Sequence, residues 1–370
     1  MIPLVALLVA CGMAATPAPA KTPRSFWGVV LSDTPTARDF QKMGAGKVGT
    51  LRLQVNWGVV QPAAGPCSPN PGSACDWSSV DSIVAGIASA HIQGLATLYG
   101  SPGWVSQHSG FFGARYNPLL NSAGQKGWPA FVSAAAKRYG PHGTFWNSNP
   151  QLPYDPIRRW QVWNEQNSSN AFHPRPSPKD YAKLVKITAR KVEATDKHAQ
   201  IILGGMFGTP GGAGAKTVTA WKFLSKLYQI QGTKKAFDAI ALHPYSPNIG
   251  GIKYQVEKLR KVLARHHDSK SKLWLTELGW GSDAKHVHGN HGQNLTKTPQ
   301  QQKSLLVRSF KLLRSHRSAW NVAGVTWYSF RDPVNTAGQC TFCLSSGLVK
   351  KDFKPKPAWF AYVKFTGGKP

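Results

Sequence analysis

The chain has 370 residues, 41% of them hydrophobic, enough for one large domain that needs neither a metal nor a disulfide to complete its core. Lys and Arg total 45 against only 16 Asp and Glu, giving a net charge of +29, so the chain is acid-poor more than base-rich. It has no basic tract interleaved with aromatics and no nucleic-acid motif, which excludes nucleic acid as the expected partner; an anionic polysaccharide or cell wall is the polymer such a surface would attract, and a neutral substrate on a basic surface is the other reading.

Residues 2–10 are apolar and Ala18-Pro19-Ala20 carries small residues at both cleavage-determining positions, so residues 1–20 read as an export signal of a secreted protein. Leu8-Val9-Ala10-Cys11 supports a competing reading, a lipobox with a lipid on Cys11. No later apolar run approaches the ~20 residues that span a bilayer.

From there a short apolar strand, a loop and an amphipathic helix recur. Strands are predicted at 26–31, 50–56, 94–99, 160–163, 200–204, 236–242, 272–276 and 324–329. Helices are predicted at 77–92, 128–139, 178–195, 218–230, 254–266, 299–316 and 357–363. Asp76 and Ser177 are N-caps for two of them, with Pro178 at the first helical position of the second. Eight strands alternating with helices specify an α/β fold with a parallel sheet, read as a (β/α)8 TIM barrel in one catalytic domain over 25–365; an open doubly wound sheet is the structural alternative. Besides Cys11, the cysteines fall into two close pairs, Cys67 with Cys75 and Cys340 with Cys343. Local disulfides are the simplest reading in an oxidising compartment, and a zinc site shared by the pairs is the alternative.

In such barrels chemistry sits where strands end. The chain has four Glu. Glu193 and Glu257 lie on helical stretches with charged neighbours, whereas Glu165 and Glu277 end the fourth and seventh strands. Those two strands face each other across a closed barrel, so their terminal side chains can converge over its mouth. Glycoside hydrolysis needs such a pair, one carboxyl to protonate the leaving oxygen and one carboxylate to attack the anomeric carbon, ~5–5.5 Å apart when configuration is retained. The 14 Trp suit sugar stacking as well as core filling.

Trp163-Asn-Glu-Gln-Asn167 resembles the Asn-Glu acid/base motif of glycoside hydrolase clan A, including families 5 and 39, with Gln166 where the usual motif has Pro. The resemblance covers about residues 25–365 and implies a retaining glycosidase with Glu165 as acid/base and Glu277 as nucleophile, and with Asn164 holding the sugar 2-hydroxyl. It implies further that Tyr245, of His243-Pro-Tyr245, hydrogen-bonds Glu277, and that His243 binds sugar or tunes the acid. Arg52, pointing into a barrel, needs an anionic partner, and the nucleophile is the natural one. Trp327 resembles the aromatic floor of the −1 sugar site, and Trp57, Trp104 and Trp280 follow strands as further candidates for sugar contact. His286-Val-His-Gly-Asn-His291 follows the nucleophile strand and reads as a substrate-lining loop. No metal or other cofactor is implied, and a monomer is expected. A catalytically silent carbohydrate-binding barrel and a transglycosylase using the same residues are the competing functions.

Overall fold

A computed structural model describes residues 22–108, 110–208, 217–284, 295–336 and 340–370; the expected leader with Cys11 and the histidine segment 286–291 lie outside the described residues. Eight parallel strands close into a barrel in sequence order: β1 (Trp27–Val30), β2 (Thr50–Asn56), β3 (Gln93–Tyr99), β4 (Arg159–Asn164), β5 (Gln200–Phe207), β6 (Ala239–His243), β7 (Lys272–Leu278) and β8 (Val322–Tyr328). Pairing of β1 with β8, Val29 opposite Trp327, closes the ring and disposes of the open-sheet alternative.

The helices that follow the strands are α1 (Ala37–Ala45), α2 (Ser78–Ser89), α3 (Ser122–Tyr139), α4 (Pro178–Glu193), α5 (Ala220–Tyr228), α6 (Ile249–Arg265), α7 (Pro299–Ser315) and α8 (Pro357–Thr366). Local chemistry explains their starts. Ser177 accepts the Asp180 N–H ahead of α4, and Thr298 and Gln301 form a reciprocal capping box ahead of α7. One face of each then turns inward, as in α4, where Tyr181, Leu184, Val185, Thr188 and Val192 are buried.

Three helices depart from the sequence expectation. The unexpected α1 is short and polar, yet Thr36 and Asp39 cap it with a box. Helix α3 begins six residues before the expected 128, at Ser122, because the Asn121 side chain caps the Gly124 N–H, which offsets the low helix propensity of Gly124 and Gly127. Helix α6 begins at Ile249 under an Asn248 cap despite Gly250 and Gly251. Strand β6 starts three residues later than expected, since Lys234–Ala236 form a 3-10 turn.

Apolar side chains fill the layer between barrel and helices, and a second apolar cluster of Leu95, Ile202, Ala239, Ala241 and Trp274 fills the lower barrel interior, but the middle of the barrel axis is polar. Gln161 is fully buried at its centre. Its Oε1 accepts from Arg52 Nε at 2.7 Å and Thr97 Oγ1 at 3.0 Å, and its Nε2 donates to Leu203 O at 3.2 Å and Thr276 Oγ1 at 3.1 Å. Thr326 Oγ1 donates to Thr276 O at 2.6 Å. An unpaired polar atom here would cost ~1–3 kcal/mol, so this plug is held in one arrangement and forms a rigid floor under the barrel mouth.

Both cysteine pairs are bonded, Cys67 to Cys75 in the loop after β2 and Cys340 to Cys343 after β8, which leaves no thiolates for a shared zinc. No helix among the described residues is long and apolar enough to cross a membrane.

Candidate active site

Glu165 and Glu277 meet at the C-terminal mouth of the barrel. Glu165 directly follows β4, and Glu277 is the penultimate residue of β7. The backbone that presents Glu165 is held in an unusual shape, with Trp163 at φ 71° and Glu165 at φ 46°, a region rarely used outside glycine. Packing enforces it. The Trp163 ring is wholly buried, 4.8 Å from Tyr99 and 5.7 Å from Phe172 between ring centroids, and its indole N–H donates to Ala171 O. Tyr181 OH bridges the adjacent strands, donating to Val162 O and accepting the Gly204 N–H. Gln166, standing where the family motif has Pro, is buried and donates to Gly204 O at 3.0 Å, so it ties the segment after β4 to β5. Asn167 does the same through Phe207 and Val218.

Glu277 is surrounded by donors. Arg52 Nη1 lies 2.7 Å from Oε1, the Tyr245 hydroxyl donates to Oε2 at 2.8 Å, and His243 Nδ1 stands 3.6 Å from Oε2. Burial pushes this carboxyl upward, but the charges of His243 and Arg52 and the hydrogen bonds from Tyr245 and Arg52 outweigh it and hold Glu277 below the usual carboxylate range. The Tyr245 phenol is pushed well above its ordinary value, first by burial and then by the Glu277 charge, so it stays a donor throughout the working pH range.

Arg52, 2% exposed, organises three acceptors at once: Glu277, Gln161, and Asn164 Oδ1 at 2.7 Å. Its rigid guanidinium fork suits that task, which a lysine could not perform. Asn164 is thereby oriented with its Nδ2 free of hydrogen bonds among the described residues.

His243 is completely buried beneath the carboxylates. Its Nδ1 is 3.0 Å from Glu165 Oε1, and its Nε2 is 3.1 Å from Thr276 Oγ1. Thr276 Oγ1 also accepts from Gln161 Nε2 at 3.1 Å. Nδ1 faces acceptor oxygens of both glutamates, so a proton carried there is directed at them. Of the two expected roles, sugar contact is closed to a residue with no exposed surface, and contact with Glu165 is what the geometry provides. Gly205 makes room for it: a Cβ there would lie 1.9 Å from His243 Nε2.

Donor atoms of Glu165, His243 and Glu277 lie within 4.8 Å of one another. Two carboxylates and an imidazole could in principle hold a divalent cation. The Arg52 guanidinium already supplies fixed positive charge at Glu277, and a second cation would be repelled by it.

The tryptophans divide differently from the sequence expectation. Trp57, Trp280 and Trp327 have no exposed surface, so they cannot line a sugar site. Trp57 packs against Trp104, Trp128 and Phe131, Trp280 donates to Ser246 O, and Trp327 donates to Ser346 O while packing against Trp280 and Phe310. Trp104 keeps part of its surface and donates to Gln61 O. The physical reason lies in strand alternation. Trp327 points outward toward α7, so its neighbour Tyr328 points toward the mouth. Burial and the charges of Glu277 and Glu165 raise the Tyr328 phenol. Tyr99, at the end of β3, is likewise pushed up to about 12, chiefly by burial, with Glu165 adding to the rise and Arg115 opposing it.

Sequence reasoning missed Gln161, Thr276, Tyr328 and Phe342. A signal existed for the first two, since each is a polar residue inside an otherwise apolar strand. Phe342 sits in the turn Thr341–Ser345 beside the Cys340–Cys343 disulfide, 5.2 Å from the Tyr245 ring and 6.4 Å from the Tyr328 ring, and only the fold brings it there.

None of the curated proteins matches the chain. Among solved structures, a family 39 glycoside hydrolase from Bacteroides cellulosilyticus is 19% identical with a TM-score of 0.63, covering 92% of this chain and 63% of its own. A monomeric β-xylosidase from Caulobacter crescentus is 17% identical with a TM-score of 0.62, covering 93% and 69%. The family 39 enzyme of Xanthomonas axonopodis is 14% identical with a TM-score of 0.63, covering 94% and 67%. The chain thus spans under two thirds of the Bacteroides enzyme and somewhat more of the other two. At these identities the likeness is one of fold. A family model, the glycosyl hydrolase catalytic core, matches residues 159–351, a span holding both glutamates, His243 and Tyr245, and with half the chain so matched the protein belongs to that family.

Proposed function

We propose that the protein is a retaining glycosidase in which Glu165 is the acid/base and Glu277 the nucleophile. The observation that carries this reading is the approach of the two carboxylates, with oxygens within 4.8 Å of each other. That is near the ~5–5.5 Å of retaining enzymes and leaves no room for the intervening water of an inverting one. In the first step a Glu277 oxygen bonds to the anomeric carbon as the glycosidic C–O bond breaks, and the Glu165 proton passes to the leaving oxygen. In the second, Glu165 takes a proton from water, the water oxygen bonds to the anomeric carbon, and Glu277 leaves as the carboxylate. The asymmetry of the pair supports the assignment. Glu277 carries the guanidinium and the phenol that favour its anion, whereas among the described residues the Glu165 carboxyl has a hydrogen-bond partner only in His243, and it is the more exposed of the two.

Asn164 Nδ2 would hold the sugar 2-hydroxyl, and Tyr328 would face the sugar ring at the −1 position. Xylosides, galactosides and glucosides, the substrates in the names of structurally similar enzymes, are the first to screen. All these groups come from one chain, so the site needs no second copy to be complete. Two disulfides support action outside the cytoplasm. The excess of positive charge would draw the enzyme to an anionic wall or acidic glycan, whether or not the cleaved bond is neutral.

The test is azide rescue on aryl glycosides. Glu165→Ala should turn over good leaving groups and, with azide, give the glycosyl azide of retained configuration. Glu277→Ala should be inactive without azide and give the inverted product with it. The opposite pattern of anomers would reverse the roles, and no rescue in either variant would remove both residues from the chemistry.

A further inference from the structure

At the opposite, N-terminal end of the barrel lies a cavity of about 360 Å³ that has no part in the chemistry above. That volume is at the lower end of those that hold small ligands. Because the strands are parallel, their first residues gather there. Arg159 opens β4 and Lys272 opens β7, while Arg317 precedes β8. These three cations line the cavity together with polar groups that include Ser318 and Asn321, and no carboxylate is among its lining residues. Among the described residues none of the three cations has an ion-pair partner.

Arg159 is held in place without being neutralised. Its guanidinium donates to Gln93 Oε1 and Thr50 Oγ1 and lies 5.3 Å over the Trp274 ring. Burial lowers its pKa, and the more distant charge of Asp155 opposes that shift. Trp274 forms part of the same wall and is 3% exposed, yet its indole N–H is buried with no acceptor among the described residues. A buried donor left unpaired costs ~1–3 kcal/mol unless an acceptor is supplied from elsewhere. Three cations without a counter-ion and an idle indole donor around one cavity share a single complement, a compact anion rich in acceptor oxygens.

We propose that this face of the barrel holds a second binding site, for a sulfate or phosphate group, either as the free ion or as an ester on a glycan. Arg159 would supply a fixed planar donor pair, Lys272 and Arg317 mobile positive charge, and Trp274 a neutral donor. Its occupant would lie a barrel's length from Glu165 and Glu277, so binding tethers the enzyme without obstructing its mouth.

The experiment is calorimetric titration of the full chain at low salt with inorganic phosphate, inorganic sulfate, a sulfated oligosaccharide and its desulfated counterpart. The proposal expects saturable binding of one equivalent of at least one of the first three and none of the desulfated sugar. Binding of the free ions alone assigns the site to a free anion, whereas tighter binding of the sulfated sugar assigns it to an ester. The variant Lys272→Ala/Arg317→Ala should weaken binding by about tenfold or more, the loss of hydrogen bonds to charged groups, with glycosidase activity unchanged. Trp274→Phe removes only the idle donor; it should leave thermal stability intact and weaken binding several-fold. Absence of saturable binding to all probes, equal binding of the desulfated sugar, or affinity unaltered in both variants would overturn the proposal.

Discussion

Tyr245→Phe removes one hydroxyl and leaves the ring between Phe342 and Phe207. The lost contact is the 2.8 Å hydrogen bond to Glu277 Oε2, one of the groups that keep this carboxyl below its ordinary range against the opposing effect of burial. A hydrogen bond to a charged group contributes about 1.5–3 kcal/mol, and a pH unit corresponds to about 1.36 kcal/mol. Arg52 and His243 remain and carry part of the burden, so the lower end of that range applies. The acidic limb of kcat/KM, which under the proposed assignment reports Glu277 in the free enzyme, should therefore move up by about one pH unit. Stability should follow the same sign. A carboxyl held low in the folded state stabilises the fold above its unfolded value near ~4.3, and that contribution is lost as pH falls through the folded value. The variant should thus be less stable than the parent at neutral pH, with the gap closing in acid. The assays are a kcat/KM profile on an aryl glycoside and denaturant melts at neutral and acidic pH. An acidic limb that stays in place or moves down would refute the argument that Tyr245 keeps Glu277 ionised.

Arg52→Met leaves Glu277, Gln161 and Asn164 without their shared donor, so it should cost about 3–5 kcal/mol in denaturant melts as well as nearly all activity. Full stability in that variant would show that the buried plug does not depend on the guanidinium. Trp327→Ala should lower stability by about 3–5 kcal/mol, whereas Tyr328→Ala should act mainly on KM and kcat; equal loss of stability in the two would remove Tyr328 from the mouth. Retention on an anionic polysaccharide should fall steeply between low and moderate salt, since screening sets in over ~8 Å at physiological ionic strength, and co-sedimentation that is equal for neutral and anionic polymers at all salt concentrations would deprive the +29 charge of any part in finding substrate.

Periodicity and strand ends carried most of the architecture in the linear chain. Eight apolar strands separated by amphipathic helices allow few topologies, and Glu165 and Glu277 stand out because a carboxylate at the end of an apolar run has no local reason to be there. Arg52 was legible on the same logic, as a cation within an apolar strand that must find an anion. Helix starts at Ser122 and Ile249 were less legible, because asparagine caps and tertiary burial overrode the glycines that oppose a helix. Other choices belonged to the tertiary structure alone. Whether Trp327 or Tyr328 faces the mouth turns on a one-residue phase in β8, which composition cannot reveal and which the packing of Trp327 against Phe310 decides. The setting of His243 depends on Gln161 and Thr276, residues far apart in the chain that meet only at the barrel axis. The basic cavity at the other end exists because parallel strands bring Arg159 and Lys272, separated by more than a hundred residues, to one face. Sequence spacing determines which residues end a strand; closure of the barrel determines which of those ends meet.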